Sequence, residues 1–168
     1  MTDISVLFSG GPDSTLAALF ALERGARVHL LTYHHGLMSA MGKHCRVIAE
    51  LRERFGADRV IAVEEEIGAL VRRFYATGMV RRLPRYRTFY VPWLCGSCKL
   101  AMHMRTIEYN RAHGIAETYD GAHRESSRLF PPQMDTYIAE MKELYASHGM
   151  RYDCPVYDVD GTDIATER

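Results

Sequence analysis

The chain has 168 residues, 47% hydrophobic and 25% charged, enough for one domain with a buried core. Its apolar runs fall far short of the roughly 20 residues that span a bilayer, and Met1–Ser5 lacks the basic-then-apolar build of a secretory leader. Membrane and secreted classes are therefore set aside. The expectation is a cytoplasmic protein whose Cys45, Cys95, Cys98 and Cys154 are thiols or metal ligands rather than disulfides. The 21 basic and 21 acidic residues cancel, but their distribution is uneven. From Ile67 to Ile107 there is no Asp or Glu, while Arg72, Arg73, Arg81, Arg82, Arg85, Arg87, Lys99 and Arg105 lie there. Asp153, Asp158, Asp160, Asp163 and Glu167 lean the other way. A one-sign stretch of this length suggests an anionic partner, phosphate or RNA. The alternative is a solvated basic surface answered by acids elsewhere in the fold.

Taken in chain order, Ile4–Phe8 reads as a buried strand running into a Gly pair. A helix follows, with Asp13, Ser14 and Thr15 as candidate caps and Gly25 as its stop. Val28–Tyr33 is a second strand. Ala40–Phe55 carries a helical stripe of Met41, Cys45, Ile48, Leu51 and Phe55, closed by Gly56. Cys45 on that stripe reads as a core residue. Arg59–Val63 is a third strand, and Glu66–Tyr75 a helix stopped by Gly78. Residues 79–94 read as an irregular basic and aromatic loop. Cys98–His113 is helical and ends at Gly114. Ile115–Tyr119 is a fourth strand, residues 120–132 a loop, Met134–Ala146 a helix, and 151–159 holds a fifth strand. Alternating strands and helices predict an α/β fold, a single-domain parallel five-stranded sheet spanning 1–168 with helices on both faces. Ligands of such sheets sit at the carboxyl ends of the strands. Residues 9–14, 33–37 and 120–127 should converge there.

Residues 8–15, Phe-Ser-Gly-Gly-Pro-Asp-Ser-Thr, carry the sharpest chemistry. Gly10 and Gly11 let backbone approach a bulky anion. Amides at the start of the next helix, favoured by its dipole, point to the same place. Ser9, Ser14 and Thr15 add hydroxyl donors. This is a pyrophosphate cradle, and it is not a Walker loop because no Gly-Lys-Ser/Thr follows.

Ser9-Gly-Gly-Pro-Asp-Ser14 resembles the SGGxDS signature of the PP-loop ATP pyrophosphatases. The resemblance implies an adenine nucleotide alpha-hydrolase-like, Rossmann-type fold. It also implies ATP cleaved between the α and β phosphates, adenylation of a substrate oxygen and release of pyrophosphate. By the same resemblance Ser9, Gly10, Gly11, Asp13, Ser14 and Thr15 hold the pyrophosphate with Mg2+, and backbone around Thr32 and Tyr33 holds the adenine edge. Gly121 joins the ATP site. Residues 31–37, Leu-Thr-Tyr-His-His-Gly-Leu, and Thr88–Pro92 resemble 7-cyano-7-deazaguanine synthases, which turn a carboxylate on a deazapurine into a nitrile with ammonia and carry a four-cysteine zinc site. Leu94-Cys-Gly-Ser-Cys-Lys99 and Gly121-Ala-His-Arg-Glu125 resemble the CxxC–helix–strand–GHxxDD arrangement of tRNA thiolation enzymes, with Glu125 and Ser126 in place of the Asp pair.

Cys95 and Cys98, at a predicted helix start beside Lys99, are expected to have lowered thiol pKa values. The uses open to them are metal ligation, with Cys154 or Cys45 as a third ligand and His103 or His123 beyond it, as zinc or an iron–sulfur cluster, redox or persulfide chemistry, and an inert structural role. His34 and His35 lie near the expected adenine or ribose, with a pair of plain loop histidines as the alternative. Arg82, Arg85 and Arg87, interleaved with aromatics, read as a substrate loop first and a subunit interface second. His123 and Arg124 are further substrate candidates. Asp13, Lys99 and Glu125 are the catalytic candidates. The expected partners are ATP and a nucleobase, free or in tRNA, with no membrane and with a homo-oligomer or partner chain open. A non-catalytic adenine-nucleotide-binding module, or a partial enzyme needing a partner chain, is the alternative.

Overall fold

The computed structural model describes residues 1–36, 43–86, 92–125 and 130–159. Five parallel strands, β1 (Asp3–Leu7), β2 (Arg27–His34), β3 (Val60–Glu66), β4 (Glu117–Asp120) and β5 (Arg151–Asp153), form one sheet in the order β3-β2-β1-β4-β5. The helices are α1 (Pro12–Glu23), α2 (Lys43–Phe55), α3 (Gly68–Tyr86), α4 (Pro92–His113) and α5 (Asp135–Ser147).

Alternation along each strand sorts the side chains between two faces. Ile4, Val6, Val28, Leu30, Val60 and Tyr119 pack with Ala17, Ala18, Ala21, Leu22, Ile48 and Leu51, so α1 and α2 cover one face. The other face carries α3, α4 and α5. Ile67, Val71 and Ala101 form a buried cluster there, with Tyr33, Leu70, Phe74 and Leu94 packed against it. A further cluster joins Ile107, Ile138, Met141, Tyr145 and Tyr152. Buried polar groups pin the two central strands on this face. Ser5 Oγ lies 2.9 Å from Thr118 Oγ1, and Asn110 Nδ2 donates to Thr118 Oγ1 at 2.8 Å.

Several expectations shift. Gly11, not Asp13, Ser14 or Thr15, is the N-cap of α1, and no side chain caps it. The hydroxyls of Ser14 and Thr15 instead donate back to Gly11 O at 3.1 and 2.8 Å, because both sit inside the first turn. Gly78 does not stop α3, which runs on to Tyr86, and α4 begins at Pro92. Most of the expected loop 79–94 is therefore helical, and 87–91 lies outside the described residues. Packing of α3 on α4 outweighs the roughly 1 kcal/mol that a helical glycine costs. Cys45 is exposed while its neighbour His44 is buried. Met41 lies outside the described residues.

Candidate functional site

The strand order reverses between β1 and β4, and the loop of residues 8–11, expected from the sequence to hold phosphate, leaves β1 at that point. This is where ligands of open parallel sheets sit. The loop is closed on itself. Ser9 Oγ lies 3.2 Å from Ser14 Oγ, Gly11 N donates to Ser9 Oγ at 3.3 Å, and Thr15 N donates to Gly11 O at 3.0 Å. Gly10 has φ of +75°. Its pro-Cβ direction meets the backbone of His44, whose Cα would be 2.6 Å from an added methyl group. On the other side, Gly121 lies against the first turn of α1, where an added Cβ would come within 2.6 Å of Ser14 N. Two outside elements thus fix the curvature of the loop by backbone contact. Gly121, read from the sequence as an ATP contact, has this packing duty. Asp13 is half-buried in the first turn of α1, whose leading amides have no partner within the helix.

Beyond the carboxyl end of β4 lies a buried polar group. Lys99 Nζ, from α4, donates to Asp120 at 2.9 Å (Oδ1) and 2.7 Å (Oδ2), and Tyr152 Oη donates to Asp120 Oδ2 at 2.8 Å. Burial alone would raise the Asp120 carboxyl. The Lys99 charge foremost, with the hydrogen bonds from Lys99 and Tyr152, outweighs it and holds the group below the usual carboxylate range. His103 is fully buried, with Nδ1 3.2 Å from Tyr145 Oη. Burial first, and then Lys99, push it down to about 3, so it is neutral. Its Nε2 and the Tyr137 hydroxyl have no hydrogen-bond partner among the described residues. Lys99 therefore enters the site as the counter-ion of Asp120. Tyr137 on α5 and Tyr152 on β5 belong to no motif that marks them in the sequence.

The remaining candidates fall as follows. Thr32 is buried, its hydroxyl without a partner among the described residues, and Tyr33 Oη lies 3.0 Å from Thr106 Oγ1 on the opposite face. Cys98 is half-buried on α4, and its thiol is raised by burial first and Cys95 next, against Lys99. The expected lowering fails there because Cys98 lies a full turn inside α4, away from free helix amides. Cys154 is buried beside Tyr152 Oη at 3.5 Å, and burial pushes it up to about 12. Cys95, Cys98 and Cys154 do not gather. Among the described residues, only His34, His44 and Glu64 bring three ligand atoms within 4.8 Å of one another.

His123, expected to touch substrate, is buried with Nε2 2.6 Å from Val159 O. Arg124 donates to Asp158 at 2.6 Å and Asp135 at 3.4 Å, and lies over the Tyr157 ring. Both side chains anchor the segment after β5. Glu125 is exposed. Arg82 and Arg85 fall on α3, and Arg87 lies outside the described residues, as do Ser126 and Thr88–Val91. Two cations of the acid-free stretch find internal acids: Lys99 meets Asp120, and Arg105 meets Glu65 at 2.8 Å.

No helix among the described residues is long and apolar enough to cross a membrane. The family described as queuosine biosynthesis protein QueC matches residues 3–167. A 7-cyano-7-deazaguanine synthase of Leptothrix cholodnii is 42% identical over 65 residues, which is 33% of this chain and 28% of that protein's length. Two solved structures share the fold. A 4-thiouridine synthetase, in a complex with RNA and bound ATP, superposes with a TM-score of 0.71 at 19% identity, over 99% of this chain and 39% of that one. A predicted subunit of tRNA methyltransferase from Methanocaldococcus jannaschii gives 0.60 at 18%, over 99% and 74%.

Proposed function

This chain belongs to the QueC family, and from that premise we propose that it uses ATP to adenylate an oxygen on a nucleobase-type substrate, free or in tRNA, releasing pyrophosphate. The observation that carries this reading is the phosphate loop at the sheet's switch point, clamped between the His44 backbone and Gly121. Backbone N–H groups of the first turn of α1, after Pro12, donate to the β and γ phosphates. Mg2+ keeps most of its shell as water and phosphate oxygen and needs only one or two carboxylates. Asp13, half-buried in the first turn, fits that need. When bound, the ion neutralises the leaving pyrophosphate. The protein itself orients the α-phosphate and excludes water, which is where most catalysis of such displacements resides.

The neutral His103, the Tyr137 hydroxyl and the Asp120–Lys99 pair form a buried polar cluster at the carboxyl end of β4, where Lys99 is the partly exposed member. The family match supports a substrate with hydrogen-bonding edges, such as a deazapurine or other base. The 7-cyano-7-deazaguanine synthase similarity favours the free base and nitrogen as incoming nucleophile. The thiouridine synthetase fold favours neither donor. Its low identity speaks for architecture alone.

The test supplies ATP, Mg2+ and either carboxylated deazapurines with ammonia or bulk tRNA with a sulfur donor, and measures AMP and pyrophosphate. Substrate-dependent formation of both, lost in Asp13→Ala, is the expected result. ADP and phosphate as products, or pyrophosphate release unaffected by Asp13→Ala, would refute the assignment.

A further inference from the structure

His34 and Glu64 stand on the face of the sheet that α2 covers. Thr32 is in register with Glu64, so His34, two residues further along β2, points to the same side as Glu64. His44 enters from the first turn of α2, with its side chain only 5% exposed, while those of His34 and Glu64 are 32% and 49% exposed. His34 Nε2 lies 3.0 Å from Glu64 Oε2, and His44 Nε2 lies 3.2 Å from Glu64 Oε1. The two imidazole rings are 5.9 Å apart and tilted by 57°, so they converge on the carboxylate instead of stacking.

Ligand atoms on a tetrahedral zinc ion, about 2.0–2.1 Å from the metal, are separated by about 3.3–3.4 Å. The contacts of 3.0 and 3.2 Å, made to the two different oxygens of the Glu64 carboxylate, are within a few tenths of that spacing, and one ligand atom from each of the three residues lies within 4.8 Å of the others. Two imidazoles and one carboxylate suit a borderline transition-metal ion and are a poor match for Mg2+ or Ca2+, which prefer oxygen alone. A three-ligand set also leaves a coordination position for water or another oxygen ligand, as in catalytic more than structural zinc sites. Such a position is open to solvent through the exposed flanks of His34 and Glu64.

We propose that His34, His44 and Glu64 form a binding site for a divalent transition-metal ion of the zinc class, beside the phosphate loop and separate from the cysteines. The adjacency is physical: the His44 backbone is what Gly10 packs on. The proposal holds whether or not the chain releases pyrophosphate. Cys45 Sγ, 3.5 Å from His44 Nε2, is the nearest thiol and has to be controlled for.

The experiment uses tag-free full-length protein carrying Cys45→Ser, Cys95→Ser and Cys98→Ser, so that the exposed and half-buried thiols drop out. Zinc binding is measured by equilibrium dialysis, and Co2+ is added as a spectroscopic stand-in. The expected result is one equivalent of zinc, with cobalt showing visible d–d bands of a low-coordinate nitrogen and oxygen site and no thiolate charge transfer. His34→Ala and Glu64→Gln should each weaken zinc binding beyond the roughly 10–100-fold that loss of a supporting outer-shell partner costs. Both positions are part-exposed, so these variants test the site without the folding risk of changing His44. Three results would overturn the proposal: zinc lost with the cysteine substitutions, zinc unchanged in both variants, or no zinc retained. The last would leave the cluster a plain His–Glu ion pair.

Discussion

At the residue scale, Gly10 and Gly121 are irreplaceable for different reasons. Gly10 combines a positive φ with backbone only 2.6 Å from its missing Cβ. Gly121 has the same crowding from Ser14 and Asp13 without the unusual dihedral. Backbone on both sides cannot swing away as a flexible side chain would. Gly121→Ala should therefore push the first turn of α1 off its amide geometry, costing about 1–3 kcal/mol by overpacking. ATP affinity should drop more than stability does. Titration of ATP alongside a urea melt separates the two, and a variant that binds ATP normally would show that the contact is slack. Gly10→Ala adds the left-handed penalty of about 1–2 kcal/mol and should be the worse folded of the pair. The sequence made Gly10 legible, since a Gly pair after a strand is a turn signal. The Gly121 contact was not legible as packing, because it depends on α1 and β4 meeting across about a hundred residues.

Among the elements, α4 ties the site to the sheet. It brings Lys99 to Asp120 on β4 and His103 to Tyr145 on α5. Asp120→Asn would leave the Lys99 ammonium, 21% exposed, without its counter-charge. Breaking a buried pair from one side costs about 3–5 kcal/mol, and the partial exposure of Lys99 argues for the lower end, about 3. Lys99→Met with Asp120→Asn should recover much of that loss. Urea melts of the two single variants and the double give the coupling, and strict additivity would deny the pair any joint role.

The helices themselves show where sequence reasoning stops. The strand-to-helix alternation and the positions of α1, α2, α4 and α5 follow from hydrophobic period and glycine stops. The extension of α3 past Gly78 and through Pro84 does not. α3 packs on α4 through Val71, which is buried in one cluster with Ala101, and a one-dimensional pattern cannot weigh a partner helix. The same gap explains the cysteines. CxxC spacing is visible in sequence, but the depth of Cys98 inside α4 and the burial of Cys154 are tertiary facts.

For the molecule as a whole, burial of neutral His103 makes stability depend on pH. Its folded value, about 3, lies below the ordinary value of 6.5. Its contribution is fully present above about pH 6.5. As pH falls below that, the unfolded chain takes up a proton that the folded chain refuses. Stability should fall by up to about 1.4 kcal/mol per pH unit from this one residue, until pH approaches 3. His29, lowered chiefly by burial, adds slope in the same window. The contribution of Asp120, held low, is fully present above the usual carboxylate value near 3.8 and is lost only below it. Between pH 6.5 and 4.5, His103→Leu should flatten the curve measured by urea midpoints against pH. An unchanged slope would mean that His103 becomes protonated inside the fold.

The switch point between β1 and β4 also divides the chain in time order. Residues 3–66 build β1, β2 and β3 on one side, and residues 117–153 build β4 and β5 on the other. The phosphate loop belongs to the first group, while Gly121 and Asp120 belong to the second. A nucleotide seated there would act as mortar between an early-made and a late-made half. Saturating ATP should slow amide exchange in β1 and β4 together, leaving the edge strands β3 and β5 less affected.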